Sequence, residues 1–225
     1  MKKALLLVVF LSVTVFLAAG CQKEESVQKN QVAEAEAETV PSTPTEAEPT
    51  MQLSRAGVDS VTFKPGEKPR VKLETSLGTI VLELWPDVAP LHCKNFVYLT
   101  QNGFYDSLKI HRVISGFVLQ SGCPLGNGMG NPGYSIEAEF SDKKHLKGTL
   151  SMARGLDINS AGSQFFICLG PTPSLDGKYT VFGQTVEGMD VVDKFNQVET
   201  ERSASGEKSS PVEPVYLVEA TLLAE

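Results

Sequence analysis

Residues 109–120 read Lys109-Ile110-His111-Arg112-Val113-Ile114-Ser115-Gly116-Phe117-Val118-Leu119-Gln120. Apolar residues lie on both sides of the Ser-Gly pair, which predicts two short β-strands joined by a turn. Arg112 stands among the apolar residues of the first strand, and an arginine in such a place needs a partner or a function. From this segment alone two interpretations remain open, a salt-bridged arginine of a β-barrel or a functional group.

Two segments further along the chain favour the functional interpretation. They read Ser151-Met152-Ala153-Arg154 and Gly162-Ser163-Gln164-Phe165-Phe166-Ile167-Cys168. Together with residues 109–120 they resemble the cyclophilins, the cyclosporin-type peptidyl-prolyl isomerases. The resemblance covers about residues 71–223 and includes, in order, residues 110–120, 122–140, 148–153, 159–167, 175–178, 181–183 and 187–192. No single motif among these is specific, but their common order is.

The resemblance implies a set of site residues. Arg112 matches the catalytic arginine of the family. The residues that match the substrate groove are His111, Phe117, Val118, Gln120, Ala153, Arg154, Gln164, Phe166, Leu175 and Tyr179. Four of them match the walls of the proline pocket, namely Phe117, Val118, Phe166 and Leu175. Without the resemblance, these apolar side chains are more typical of a barrel core, and the two glutamines fit solvent-facing strand positions.

Two substitutions indicate one branch of the family. Ser174 lies where drug-sensitive members carry tryptophan, and Tyr179 lies where many members carry histidine. Both resemble the small bacterial branch. We therefore expect isomerase activity with weak cyclosporin binding, because a large indole contact and its N–H donor are absent.

The chemistry that the resemblance implies needs neither a nucleophile nor a cofactor. An X-Pro amide resists rotation by about 18–20 kcal/mol because its nitrogen donates a lone pair into the carbonyl group. An apolar slot can hold the ring, and a fixed guanidinium can stabilise the twisted amide through interactions made only in the transition state. The predicted partners are therefore proline-containing polypeptides.

Other functions remain as alternatives. One is a non-catalytic proline-peptide binding module or holdase on the same barrel, but the intact set of Arg112, Phe117 and Gln120 favours an enzyme. Another is a structural subunit of an envelope complex, for which the sequence holds no dedicated feature.

The first 21 residues have the pattern of a targeting segment. Lys2 and Lys3 precede an apolar run over residues 4–19, which is short for a bilayer span but suits a signal-peptide core. Small residues then lead into Cys21, as in a bacterial lipoprotein signal, although Ala18 stands where a large aliphatic residue is usual. We predict a signal peptide at residues 1–20 and lipidation of Cys21.

This pattern also predicts the location of the protein. We expect an extracytoplasmic domain, lipid-anchored to a bacterial membrane and lying in the periplasm or on the cell surface. The alternatives are simple secretion or an uncleaved anchor, and both also place the domain outside the cytoplasm.

Residues 21–66 are predicted to form the lipidated cysteine and a disordered acidic tether. Residues 22–66 contain four basic and eight acidic residues, and Phe63 is their only aromatic residue. So little apolar surface cannot offset the entropy of ordering the chain. The tether would hold the domain away from the membrane surface.

The folded domain is predicted at residues 67–225, with a mainly β fold. Apolar and polar residues alternate over residues 70–74 and 79–83 around a turn at Gly78, which predicts a β-hairpin. Other short apolar segments separated by Gly-rich turns predict further strands, the last over residues 215–222. The resemblance supplies the strand number and implies a closed eight-stranded antiparallel β-barrel capped by two α-helices.

The two helices are predicted from the residues themselves. Pro90 opens the first and Gly103 closes it. Its apolar face is formed at helical spacing by Cys93, Phe96, Val97 and Thr100. The second is predicted near residues 187–197.

Composition argues against several other functions. A formal net charge of −7 argues against nucleic-acid binding, which needs clustered lysine and arginine. The three histidines and four cysteines have no metal-ligand spacing, so we predict neither a metal nor another cofactor. Cys93, Cys123 and Cys168 are predicted to be small buried residues outside any disulfide framework. The domain has no internal repeat, and we expect a monomer.

Overall fold

A computed structural model describes residues 53–224. Its helices are α1 (Arg55–Asp59), α2 (Pro90–Gln101), a 3-10 turn (Pro173–Leu175) and α3 (Met189–Phe195). Its strands are β1 (Arg70–Thr75), β2 (Gly78–Leu84), β3 (Leu108–Lys109), β4 (Arg112–Ile114), β5 (Val118–Ser121), β6 (Thr149–Met152), β7 (Phe165–Cys168), β8 (Val181–Glu187), β9 (Thr200–Arg202), β10 (Lys208–Pro211) and β11 (Tyr216–Leu222). The predicted mainly β class is confirmed.

Nine strands form one antiparallel sheet in the order β3-β11-β1-β2-β8-β6-β7-β5-β4. β9 and β10 form a separate two-stranded hairpin. The predicted closed eight-stranded barrel is therefore wrong, since the described residues form an open nine-stranded sheet. Only Ile110 and His111 separate the two edge strands, β3 and β4, so these strands follow one another along the chain instead of pairing side by side.

The predicted hairpin at the start of the domain is confirmed. β1 and β2 pair in register from Arg70 opposite Glu83 to Thr75 opposite Gly78. The backbone at Gly78 has a φ of 135°, which residues with a side chain rarely adopt. The glycine of the predicted turn therefore makes the reversal between the two strands possible.

Helix α2 closely follows its predicted bounds. It begins at Pro90 and ends at Gln101, and Gly103 follows in the left-handed region with a φ of 63°. The four residues of the predicted apolar face are all buried: Cys93, Phe96, Val97 and Thr100. The first turn has no side-chain cap of its own, and the Glu139 carboxylate instead accepts the backbone N–H groups of Leu91 and His92. An anion at this end also suits the helix dipole.

The described residues include more helix than the sequence predicted. The second predicted helix is present as α3, which is shorter than residues 187–197. Helix α1 and the 3-10 turn were not predicted, because each spans five residues or fewer and neither offers a recognisable apolar period.

Residues 53–66 differ from the predicted disordered tether. Ser54 caps α1 by accepting the backbone N–H of Gly57, and Val58 is completely buried. Leu53, Val61 and Phe63 also pack against the core of the domain. These scattered apolar side chains gain enough contact from the neighbouring domain to order a segment that its composition alone would leave disordered.

The predicted signal peptide (residues 1–20), Cys21 and tether residues 22–52 lie outside the described residues. Cys93, Cys123 and Cys168 are buried and free. Within residues 53–224, no helix is both long enough and apolar enough to cross a bilayer.

Candidate active site

The site is built on the outer face of the sheet by strand alternation. Arg112 on β4 pairs with Gln120 on β5, and Gln120 pairs with Phe166 on β7. Residues paired in this way share one face of a sheet, while their neighbours in sequence face the other side. Thus Val113, Leu119 and Ile167 enter the core, and the row from Arg112 to Phe166 faces outward.

This outer row opens into a cleft with a volume of about 270 Å³. Nine of the sequence-predicted site residues line it: Arg112, Phe117, Val118, Gln120, Ala153, Arg154, Phe166, Leu175 and Tyr179. None of the nine is a serine, a cysteine, a histidine or a carboxylate. In the described part of the chain, the cleft is therefore equipped to hold an apolar group without covalent chemistry.

The apolar wall of the cleft is separate from the core. Val118, Phe166 and Cys168 form a buried cluster of their own. The partly buried side chains that pack on it are Phe117, Ala153, Leu175 and Tyr179. The interpretation of Phe117, Phe166 and Leu175 as barrel core does not hold, because these side chains lie outside the main core cluster.

Arg112 lies at the rim of the cleft and is held on several sides. Its Nε–H donates to Glu207 Oε2 at 2.7 Å, and Nη2 donates to Glu207 Oε1 at 3.0 Å. Nη1 donates to Gln120 Oε1 at 3.4 Å, and the guanidinium carbon lies 5.6 Å from the centre of the Phe117 ring. The side chain is 27% exposed. Arg112 is therefore both a salt-bridged residue and a cleft residue, which joins the two interpretations left open by the sequence.

A chain of amides extends from Arg112 along the groove. Gln120 Nε2 donates to Gln164 Oε1 at 3.0 Å. Gln164 in turn donates to the carbonyl groups of Gly128 and Gly130 at 2.8 and 2.9 Å. These bonds fix the orientation of both glutamines. Gln164 lies in a second cavity that adjoins the cleft at Gln120, Ala153 and Arg154.

Arg154 and His111 occupy different parts of the groove. Arg154 packs its guanidinium 4.9 Å from the centre of the Tyr179 ring and donates to the Lys178 carbonyl group. His111 lies next to Arg112 in another cavity and not in the cleft itself. Burial lowers the pKa of the His111 imidazole, and the Arg112 charge acts in the same direction. His111 is therefore suited to shape the groove as a neutral ring.

A buried polar group supports Phe166 from behind. The His145 ring stacks on Phe166, its Nδ1 lies 3.0 Å from Asp176 Oδ1, and its Nε2 lies 3.0 Å from Ser151 Oγ. Hydrogen bonds from the backbone and ring of His145 lower the pKa of the Asp176 carboxyl. Ser151 is fully buried and donates to the Thr180 carbonyl group, so this arrangement presents no accessible nucleophile.

The residues that support the site were not predicted from the sequence. Glu207 lies in the turn of the β9–β10 hairpin, whose strands are short and polar and lack apolar alternation. The Ser205-Gly206 pair was the available turn signal. His145 and Asp176 lie 31 residues apart, and no local pattern connects them.

Comparisons with known proteins agree with this fold. Residues 70–222 match the family described as cyclophilin type peptidyl-prolyl cis-trans isomerase/CLD. A peptidyl-prolyl cis-trans isomerase of Synechococcus elongatus is 57% identical over 113 residues, which cover 50% of this chain and 77% of that protein. A Dictyostelium discoideum protein with the same activity in its name is 44% identical over 156 residues, which cover 67% of this chain and 96% of that protein.

Solved structures lead to the same family. A Cryptosporidium parvum cyclophilin type peptidyl-prolyl cis-trans isomerase has a TM-score of 0.65 and 28% identity, covering 71% of this chain and 99% of that chain. A second structure of that protein was determined in the presence of the dipeptide Ala-Pro. The open β-sheet with its outward cleft is thus a cyclophilin fold. The chain belongs to the cyclophilin-type peptidyl-prolyl cis-trans isomerases and is a peptidyl-prolyl isomerase.

Proposed function

We propose that the chain is a cyclophilin of the small bacterial branch that accelerates X-Pro rotation in exported proteins, with Arg112 as its catalytic residue. The observation that carries the role of Arg112 is its guanidinium at the rim of an apolar cleft lined by Phe117, Phe166 and Leu175. A proline ring held in this cleft places the amide that precedes it beside the guanidinium. The partners we propose are proline-containing polypeptides, engaged by a monomer.

The proposed mechanism stabilises the twisted amide. During rotation the nitrogen loses conjugation and its lone pair becomes available, and the less polar twisted amide gains from desolvation in the apolar cleft. Arg112 then donates to the amide nitrogen, an interaction that strengthens only as the amide twists, and it can also donate to the proline carbonyl group to hold the substrate. Gln120 is oriented by Gln164 and binds the substrate backbone.

The required stabilisation is modest for such a site. Uncatalysed exchange takes on the order of 10–100 s. Exchange in about a millisecond requires a barrier lower by about 5–7 kcal/mol, at about 1.4 kcal/mol for each factor of ten. Charge-assisted hydrogen bonds inside a desolvated site supply energies of this size without covalent catalysis. The direct test is the exchange rate of a prolyl peptide measured with and without the purified chain.

The proposed location depends on the N-terminal segment. An apolar run that leads into Cys21 supports export and lipidation. We expect the chain expressed in a bacterium to incorporate labelled palmitate and to yield a mature N-terminus at Cys21 by mass spectrometry. Cys21→Ala is expected to abolish the label, whereas the control Ser26→Ala retains it. An unlabelled wild-type chain, or one that keeps its leader, would contradict lipidation.

Cyclosporin binding is expected to be weak because Ser174 is a small exposed side chain on the 3-10 turn beside Leu175 of the cleft. An indole at this position would add an apolar contact and an N–H donor. We expect Ser174→Trp to raise cyclosporin affinity at least about fivefold in isothermal titration, since a single new hydrogen bond with packing is worth about 1 kcal/mol. The control Ser174→Ala is expected to leave affinity unchanged. Tight binding by the wild-type chain would contradict this explanation.

A further inference from the structure

Glu207 makes the strongest contact of the Arg112 side chain. Its two carboxylate oxygens accept from Nε–H at 2.7 Å and from Nη2 at 3.0 Å. This is a bidentate pair between two planar groups, which fixes direction as well as distance. The pairing with Glu207 therefore restrains rotation about the bonds of the Arg112 side chain.

The backbone that carries Glu207 is itself held in place. The Glu207 carbonyl group accepts from the Ser203 backbone N–H at 2.8 Å, and Arg202 donates to the Gly206 carbonyl group at 2.7 Å. Strand β10 of this hairpin lies against β4, the strand that carries Arg112. The carboxylate and the guanidinium thus come from two elements that pack together.

The pairing leaves part of the guanidinium available to a ligand. Arginine has five N–H donors. Glu207 accepts from two of them and Gln120 from a third, so two remain at the Nη1 and Nη2 end. Arg112 lines the cleft and Glu207 does not, so the pair leaves the guanidinium on the wall of the cleft with donors that neither Glu207 nor Gln120 uses.

We propose that Glu207 is a positioning residue for the isomerase reaction and holds the Arg112 guanidinium in the orientation that meets the twisting amide. This inference rests on the catalytic role proposed above for Arg112. Glu207 pairs with Arg112 but does not line the cleft, so we expect it to act through Arg112 and not by touching substrate.

The negative charge of Glu207 has an effect on substrate binding that opposes the benefit of orienting Arg112, and kinetics can separate the two effects. It weakens the attraction of Arg112 for a substrate carbonyl group, but both side chains are partly exposed, at 27% and 41%, and solvent screens that effect. The proline carbonyl group is not part of the amide that rotates, so its charge is similar in the ground state and the transition state, and weakening this contact acts mainly on KM. Orientation acts on the transition state and therefore on kcat.

The test is a double-mutant cycle on the full chain purified in detergent. We expect Glu207→Gln to lower kcat by about fivefold to tenfold with KM changed less than about twofold, because a misdirected donor loses transition-state stabilisation. In the Arg112→Ala background the same substitution is expected to have no effect. Glu201→Gln removes the same charge from an exposed position in the same hairpin and is expected to leave kcat unchanged.

A spectroscopic readout distinguishes positioning from general stability. We expect the Arg112 Nε–H group to give a resolved proton–nitrogen resonance, assigned by its loss in Arg112→Ala, and Glu207→Gln to broaden or shift it. Thermal unfolding confirms that each variant is folded, and Glu207→Asp, which keeps the charge on a shorter side chain, is expected to restore part of kcat.

The outcomes separate the two proposals. If Arg112→Ala leaves turnover unchanged, the catalytic role of Arg112 fails and the role of Glu207 fails with it. If Arg112→Ala lowers turnover but Glu207→Gln does not, only the positioning role fails. Equal losses from Glu207→Gln in both backgrounds would also overturn it, because the carboxylate would then act independently of Arg112.

Discussion

Replacing Arg112 by alanine is expected to lower prolyl exchange at least tenfold while the chain remains folded. The guanidinium is the only cationic group at the Phe117 side of the cleft among the residues that line it, and in the proposed mechanism it supplies the donors for the twisted amide. A tenfold loss corresponds to about 1.4 kcal/mol of transition-state stabilisation, a modest value for a charged hydrogen-bond donor.

Magnetisation-exchange spectroscopy on a prolyl peptide measures this effect directly. Arg112→Lys keeps the charge but loses the planar fork, and we expect it to recover only part of the activity. Arg55→Ala is a matched control, since it removes an arginine that pairs with Asp59 and Glu137 away from the cleft. Full turnover by a folded Arg112→Ala variant would remove this residue from the mechanism.

Phe96→Ala is expected to lower the free energy of unfolding by about 3–5 kcal/mol, the usual range for removing a fully buried phenylalanine. Phe96 is completely buried on the inner face of α2. Its ring centre lies 5.0 Å from that of Tyr105, 5.1 Å from that of Phe165 and 5.4 Å from that of Phe182. Truncation removes the transfer free energy of the buried ring. It also leaves a cavity that the three rigid rings cannot close, and this cavity adds its own cost.

Urea unfolding, monitored by circular dichroism, measures this change. The urea midpoints of the variant and the wild type are compared, provided that the free energy of unfolding falls with urea concentration at the same slope in both. Phe140→Ala is the control, because this side chain is 43% exposed and its loss is expected to change stability by less than about 0.5 kcal/mol. Equal destabilisation by the two substitutions would show that α2 does not anchor the core through Phe96.

Local patterns predicted the elements whose residues contact their own neighbours in sequence. The alternation around Gly78 predicted the β1–β2 hairpin, and the spacing from Cys93 to Thr100 predicted α2 and its buried face. The strand order of the open sheet depends on distant pairings such as that of β3 with β11, which no local pattern encodes. Residues 53–66 were mispredicted for a related reason, since Val58 and Phe63 are ordered by contacts with the domain and not by their own segment.

The residues that line the cleft were predicted from the sequence, but the residues that hold them in place were not. The family resemblance named nine of its lining residues, because motif order carries that information. It did not name Glu207, since the polar hairpin that presents it has no motif and lies 95 positions from Arg112. The role of Asp176 behind Phe166 was missed in the same way. Contacts between residues that are distant in sequence can be identified only from the structure, where the fold brings the residues together.

The cleft and the core lie on opposite faces of the same strands, and this arrangement has an evolutionary consequence. On β5 and β7, Val118 and Phe166 face the cleft while Leu119 and Ile167 face the interior. If the cleft binds the substrate as proposed, changes at cleft positions can alter preference for the amino acids around proline without replacing any side chain of the interior cluster.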